Sequence, residues 1–169
     1  YNEQEVLPET SKRLKEKMES LMERNLISRD SRIMFVNDGS KDRTWSMIEE
    51  LQEQDPIFAG VKLSRNRGHQ NALLGGLMTA KEYADMTISL DADLQDDIDV
   101  IDQMVEKYYD GCEIVYGVRS ARTTDTFFKR FTAESFYHMI SMMGGEIVFN
   151  HADYRLMSKR ALEEMAKYK

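Results

Sequence analysis

The segment Asp91-Ala92-Asp93 has the residue types and the spacing to hold a divalent cation. It follows Thr87-Ile88-Ser89-Leu90, a short run typical of a strand, and Gln95 comes two residues later. Two carboxylates at positions i and i+2 beyond a strand can aim at one site, and with diphosphate oxygens they would form an all-oxygen shell for Mg²⁺ or Mn²⁺. Such a cation would neutralise the charge developing on a departing nucleoside diphosphate. Because an isolated D-x-D is also common in solvated acidic turns, this interpretation depends on the strand and on Gln95.

A second carboxylate, Asp38, follows another short apolar run in Val36-Asn37-Asp38-Gly39-Ser40. Asp38 could accept a hydrogen bond from a nucleobase N–H or a ribose hydroxyl, and Gly39 would let a ligand approach the backbone. The alternative is a simple Asp-Gly turn in which Ser40 or Asp42 caps the next helix. The residues by themselves leave both interpretations open.

A basic cluster near the C-terminal half consists of Arg119, Arg122, Lys129 and Arg130. Guanidinium groups bind phosphate through two parallel hydrogen bonds, so the cluster is a candidate phosphate site. A solvated charged surface is the equally weighted alternative.

Asp153 and the histidines are the remaining candidates. Asp153 could orient or deprotonate an acceptor, or it could form a structural ion pair with Arg155. His69 and His138 lack metal-ligand spacing to other ligands, and we interpret both as non-catalytic. His69 begins a predicted helix, however, and could face a phosphate there.

The charge of the chain is unevenly distributed. Its net charge is −7 and its pI about 5.1, which argues against a nucleic-acid binder with a basic face. Six aspartates lie between Asp91 and Asp102 with no basic residue among them, whereas basic residues gather at 62–69 and 119–130. We expect an acidic pocket that faces two basic segments, as suits a metal bridging to a phosphorylated ligand.

The single cysteine, Cys112, excludes an internal disulfide and fits a reducing compartment. It precedes a predicted strand, and we expect its thiol to be buried and unreactive.

Strand-like and helix-like segments alternate along the chain, which predicts one α/β domain over residues 1–169 with a mostly parallel sheet. In such sheets ligands bind beyond the carboxyl ends of the strands, and Asp38 and Asp91 both lie at such ends. A last helix is expected after an extended segment at 153–157, and another helix at 127–143. The first helix, residues 3–24, should follow a strand, so we expect that a strand before Tyr1 is missing.

Four motifs together resemble family 2 glycosyltransferases of the GT-A fold, a Rossmann-like three-layer sandwich. They are Tyr1-Asn2-Glu3, the segment 36–42, Arg65-Asn66-Arg67-Gly68-His69-Gln70 and the segment 90–96. Tyr116-Gly117-Val118-Arg119 and the segment 152–158 resemble the polyprenyl-phosphate branch, which includes bactoprenol glucosyltransferases and dolichol-phosphate mannose synthases.

The resemblance implies a metal-dependent, inverting transfer of a hexose, with glucose from UDP-glucose as donor and undecaprenyl phosphate as acceptor. It implies a nucleotide-sugar site formed by Tyr1, Glu3, Asp38, Asp91, Ala92 and Asp93. It implies that Asp93 and Gln95 bind Mg²⁺ or Mn²⁺, and that Arg119, Arg130 and Ser135 bind the acceptor phosphate. The residues implied in catalysis are Asp91, Asp93, Asp153 and Arg119.

Family members continue beyond the length of this chain, often into transmembrane helices. The resemblance therefore implies that the full-length protein works at the cytoplasmic face of a bacterial membrane and that this fragment is soluble; homo-oligomerisation stays open. One alternative is a family 2 enzyme with another sugar, or with a protein or polysaccharide acceptor. The other is a non-catalytic nucleotide-binding module, against which the intact Asp38, Asp91, Asp93 and Gln95 argue.

Overall fold

The computed structural model describes residues 1–93, 95–118 and 151–167. The predicted helix at 127–143 lies outside these ranges. Within them the chain forms, in order, α1 (Leu7–Glu23), β1 (Ile33–Asn37), α2 (Thr44–Gln54), β2 (Phe58–Lys62), α3 (His69–Ala80), β3 (Met86–Ser89), α4 (Val100–Tyr109), β4 (Ile114–Val118), β5 (His151–Ser158) and α5 (Lys159–Met165).

The predicted α/β class is confirmed, with the strands arranged in two sheets. β1 pairs in parallel with β2, from Ile33 opposite Phe58 to Asn37 opposite Lys62. β5 lies between β3 and β4 and runs antiparallel to both. The segment expected to be extended is thus a strand of eight residues, and the Ser158 hydroxyl that follows it accepts a hydrogen bond from Ala161 N at the start of α5.

A cavity of about 1760 Å³ extends between β1 and β3 and is also lined by α1 and α3. Among the described residues β1 pairs only with β2, and β3 only with β5. The cavity therefore has a strand edge on each side.

The hydrophobic core is built mainly from one face of α1 and from the strands. Leu7, Leu14 and Leu21 recur every seven residues, which places them on one side of the helix, and all three are buried. The rings of Phe35 and Phe58 stack across the parallel pair with centroids 6.0 Å apart. No helix in the described part of the chain is both long and apolar enough to cross a membrane.

Of the two adjacent glycines in α3, Gly75 and Gly76, only Gly76 is required by close packing. A Cβ at Gly76 would lie 2.5 Å from Val36 Cγ2, so α3 can approach β1 only because this side chain is absent. A Cβ at Gly75 would make ordinary contact with Leu63.

Cys112 is exposed, so the expectation of a buried thiol was wrong. It follows Gly111, whose φ of +97° lies in the left-handed region, in the turn between α4 and β4. The strand begins only at Ile114, and the thiol therefore precedes the packed part of the sheet.

Two of the aspartates between Asp91 and Asp102 form ion pairs that link α1 to the start of α4. Lys17 Nζ lies 2.7 Å from both Asp99 Oδ1 and Asp102 Oδ2, and Arg24 also pairs with Asp102. These two aspartates therefore serve packing between helices, apart from the predicted acidic pocket. Burial by itself would raise the pKa of Asp102, but hydrogen bonds from Lys17 and Arg24 outweigh it and lower that pKa.

We expect Asp102→Asn to lower the free energy of unfolding at neutral pH by about 1–2 kcal/mol, because Lys17 and Arg24 lose a shared charged partner. The folded-state pKa of Asp102 lies below its ordinary value of 3.8, so its contribution is present above that value and disappears as the pH falls through the folded-state pKa. Urea unfolding followed by the fluorescence of the single tryptophan, Trp45, measures the difference.

Asp99→Asn is the matched control. The Asp99 side chain is 82% exposed, against 21% for Asp102, and it should contribute much less. Equal losses in the two variants would contradict the assignment of Asp102 as the main link between α1 and α4.

Candidate functional site

The Asp91–Asp93 turn follows the carboxyl end of β3, and a hydrogen bond from α1 holds it in place. The buried Thr10 hydroxyl donates a hydrogen bond to the Ala92 carbonyl over 2.6 Å. Gln95 N donates to Asp93 Oδ1 over 3.1 Å, which closes the turn on its other side. A helix residue 82 positions earlier in the sequence therefore sets the position of the predicted diphosphate turn.

Four carboxylates crowd this end of the sheet. Burial raises the pKa of Asp91, His69 opposes that effect, and the negative charges of Asp93, Asp96 and Asp153 raise the pKa further. Ionised carboxylates in such proximity repel one another, so the site favours a bound cation or a donated hydrogen bond.

The donor set fits a hard divalent cation. Asp91, Asp93 and Gln95 offer only oxygen ligands, as Mg²⁺ and Mn²⁺ prefer. In the described ranges no three His, Cys, Asp or Glu side chains are grouped as a metal cage. Two carboxylates and one amide oxygen leave coordination positions that the phosphates of a ligand could fill, which is the usual arrangement for Mg²⁺.

Asp153 joins the site because β5 pairs with β3. Ser89 Oγ donates to the Asp153 carbonyl over 2.6 Å, which fixes its backbone beside the end of β3. The Asp153 carboxylate lies 2.6 Å from His69 Nε2 and 3.4 Å from an Arg155 nitrogen. The ion pair with Arg155 that the sequence left open is present, and the same carboxylate also faces the site.

His69, which we interpreted as non-catalytic but able to face a phosphate from the start of a helix, lies at this site. Its Nε2 lies 2.6 Å from Asp153 Oδ2 and 4.0 Å from Asp91 Oδ1, so it stands between two predicted site carboxylates. Its neighbour Gln70 also donates to Asp153, over 3.0 Å. Metal-ligand spacing along the chain does not identify His69, whereas its place in the fold does. It follows β2 at the start of α3, at the same edge of the sheet as Asp38 and Asp91.

Asp38 is buried and holds the loop that leads to His69. Its two carboxylate oxygens accept hydrogen bonds from Arg67 N over 2.6 Å and Gly68 N over 2.9 Å. A nucleotide contact by Asp38 stays a prediction, but its side chain clearly positions the segment before α3.

Gly39 is approached closely by backbone of the same chain, and the approach of a ligand to it stays a prediction. Its φ is +64°, and an added Cβ would lie 2.5 Å from Asn66 N and 2.6 Å from the Arg65 carbonyl carbon. The absent side chain makes room for the loop that Asp38 holds.

The first residues of the chain are fastened to the loop before α2. Asn2 N donates to Ser40 Oγ over 3.0 Å, and Glu3 N donates to Thr44 Oγ1 over 2.9 Å. Of the two candidate caps of α2, Ser40 therefore binds the N-terminal segment. Asp42 Oδ1 accepts a hydrogen bond from Thr44 N at the start of α2. Tyr1 and Glu3 line the same cavity as Asp91, Ala92, Asp93 and His69.

The predicted acceptor residues Arg119, Arg130 and Ser135 lie outside the described residues, as do Arg122, Lys129 and His138. Within the described residues, Tyr1, Glu3 and the Asp91–Asp93 turn of the predicted nucleotide-sugar site line one cavity with His69, which contacts Asp153.

The model of the family described as Glycosyl transferase family 2 matches residues 1–166. The chain belongs to this family. Its α/β architecture agrees with the GT-A fold that the resemblance implied. Against the uncharacterized glycosyltransferase YkoT of Bacillus subtilis (strain 168), this family 2 glycosyltransferase is 54% identical over 168 residues, which are 99% of the chain and 50% of the relative.

Two further relatives carry more specific names. The prophage bactoprenol glucosyl transferase homolog of Escherichia coli (strain K12) and the bactoprenol glucosyl transferase of Shigella phage SfV are each 39% identical over 166 residues. Each match covers 98% of this chain and 52% of the relative. The chain therefore spans about half the length of the curated relatives it matches.

The packing of Gly39 predicts a large difference between two glycines at positive φ. Gly39→Ala should lower the free energy of unfolding by about 3 kcal/mol or more, because left-handed strain adds to a collision with the backbone of Arg65 and Asn66. Gly68→Ala, at φ +85° with nothing within 4 Å, should cost only the strain, about 1–2 kcal/mol. Urea unfolding of both variants checks this, and equal costs would contradict the packing role.

Proposed function

We propose that this family 2 glycosyltransferase transfers glucose from UDP-glucose to undecaprenyl phosphate, with inversion at the anomeric carbon. The observation that carries the proposal is the gathering of Asp91, Asp93 and Asp153 at one end of the sheet. The names of the two bactoprenol glucosyl transferase relatives, each matched along nearly the whole of this chain, support the choice of sugar and lipid carrier.

The donor side of the proposed reaction uses the cavity at the end of β3. Tyr1, Glu3 and Asp38 would contact the nucleotide, and the Asp91–Asp93 turn would face the diphosphate. Mg²⁺ or Mn²⁺, held by Asp93 and Gln95, would supply charge neutralisation at the departing diphosphate. The hydrogen bonds from Thr10 and Gln95 N hold the turn in place, so its carboxylates need little rearrangement when the donor binds.

The acceptor side follows from the chemistry of a phosphate nucleophile. Its oxygen is already anionic at neutral pH, so it can attack the anomeric carbon, opposite the departing UDP, without a strong base. Alignment and electrostatics would then supply most of the rate enhancement. In this proposal Arg119, Arg130 and Ser135 bind the acceptor phosphate, and Asp153 orients the acceptor. Because that acceptor is a lipid, the proposal includes work at the cytoplasmic face of a bacterial membrane.

The donor half of the proposal is tested by calorimetric titration of UDP. We expect binding in the presence of Mn²⁺, loss of binding in EDTA, and about a hundredfold weaker binding by Asp93→Ala, because a ligand of the bridging cation is removed. Asp99→Asn, which removes an aspartate of the same acidic run that pairs with Lys17, should bind UDP like the unmodified protein.

The titration is made on this chain and on the full-length protein. Failure of the full-length protein to bind UDP at any metal concentration would overturn the donor assignment.

The acceptor half is tested by incubating the full-length protein with radiolabelled UDP-glucose and undecaprenyl phosphate in detergent. We expect labelled lipid, and Asp93→Ala should reduce its rate of formation at least about a hundredfold. Labelling of a water-soluble polysaccharide with none on the lipid would favour the alternative acceptor class. An Asp153→Asn variant with full turnover would remove Asp153 from the mechanism.

A further inference from the structure

The contact between His69 and Asp153 has no assigned role in the reaction proposed above. We infer that His69 is a positioning residue, which holds the Asp153 carboxylate beside Asp91 by donating a hydrogen bond from Nε2. The inference rests on the proposed transfer reaction for its effect on rate, whereas the hydrogen bond itself is independent of that reaction.

The chemistry of the carboxylate acceptor gives the direction of the hydrogen bond. The two atoms, His69 Nε2 and Asp153 Oδ2, lie 2.6 Å apart. An ionised carboxylate has no proton to donate, so Nε2 carries the hydrogen. Gln70 Nε2 donates to the same oxygen over 3.0 Å. Short bonds to an ionised acceptor are among the stronger hydrogen bonds of proteins, and this pair fixes the side-chain rotation of Asp153.

Electrostatic repulsion makes such a donor necessary. The charge of Asp153 is one of those that raise the pKa of Asp91, which shows that the two carboxylates interact. Without a donor between them, like charges would turn the Asp153 side chain away from the site. His69 stands between them, 2.6 Å from one carboxylate and 4.0 Å from the other, and it begins α3, whose N-terminal dipole also favours a nearby anion.

The backbone around His69 is fixed from a different part of the fold. Asp38, at the end of β1, accepts hydrogen bonds from the backbone of Arg67 and Gly68 immediately before it. Ser89, at the end of β3, holds the Asp153 carbonyl. Both partners of the His69–Asp153 hydrogen bond are therefore anchored separately to the strand ends, which is the arrangement expected of a preorganised pair.

The test is a double-mutant cycle on transfer by the full-length protein. His69→Leu should lower kcat about 10- to 100-fold, because a misplaced side chain near the chemistry has effects of this size. KM for UDP-glucose should change little, since the variant leaves the Asp91–Asp93 turn intact. His69→Gln, whose amide N–H can still donate to Asp153, should recover most of kcat.

The cycle is closed with Asp153→Ala and with the double variant His69→Leu/Asp153→Ala. If His69 acts through Asp153, the double variant should be no slower than Asp153→Ala alone. If the losses of kcat in the two single variants multiply in the double variant, the inference is overturned. Glu82→Gln, an exposed change beyond the opposite end of α3, is the control and should leave both kcat and the urea midpoint unchanged.

A spectroscopic readout separates this inference from the proposed function. In the folded chain at neutral pH the ring ¹⁵N signals of His69, assigned by their loss in His69→Gln, should identify Nε2 as the protonated nitrogen, and Asp153→Ala should shift the Nε2 signal. An Nε2 signal that Asp153→Ala leaves unchanged, or ring signals that place the proton on Nδ1 in the unmodified chain, would overturn the inference even if the protein transfers glucose. A signal that responds as expected, in a protein that transfers no sugar, would support the contact and reject the proposed function.

Discussion

Mutual repulsion of carboxylates is the constraint around which this end of the molecule is organised. Asp91, Asp93, Asp96 and Asp153 lie close enough that their charges combine to raise the pKa of Asp91. Asp91, Asp93 and Asp96 lie on one loop after β3 and Asp153 lies on β5, and movement of these segments apart would relieve the repulsion. The fold prevents it with hydrogen bonds to backbone carbonyls. Thr10 holds Ala92 and Ser89 holds Asp153, each across 2.6 Å. In the proposed function, such a site would be preorganised for a cation and for the anions that arrive with it.

Repulsion between carboxylates also explains why the aspartates between Asp91 and Asp102 have two roles. Asp91 and Asp93 turn towards the cavity, whereas Asp99 and Asp102 meet Lys17 from α1. The helix that begins at Val100 separates the two groups, because its first turn faces α1 and not the strand ends. Pairing Asp99 and Asp102 with cations elsewhere reduces the negative charge that remains at the site, and it also ties α1, which carries Thr10, to α4.

Asp38, which is predicted to contact a nucleotide, also supports the loop that leads to His69. Its carboxylate is buried and accepts two backbone N–H groups from the loop before α3. Gly39 allows that loop to lie directly against β1's end. These contacts fix the position of His69, which in turn contacts Asp153. An interaction in the first half of the chain therefore affects a residue of the last strand.

Much of this follows from local patterns in the sequence. The alternation of apolar strands and amphipathic helices predicted the α/β fold, and strand runs ending in Asp38 and Asp91 predicted which edge of the sheet carries the site. The spacing of Leu7, Leu14 and Leu21 predicted the buried face of α1. These features depend on the 3.6-residue and 2-residue periods of neighbouring side chains, which a sequence displays directly.

Only the tertiary structure decided which distant residues meet. The antiparallel insertion of β5 between β3 and β4 brings Asp153 beside Asp91, and no local pattern specifies that pairing. The contact of His69 with Asp153 spans 84 positions, and that of Thr10 with Ala92 spans 82. The exposure of Cys112 likewise depended on where a turn ends and a strand begins. The packing of whole helices and strands determines which hydrogen bonds and ion pairs of this kind form, because it decides which side chains become buried next to one another.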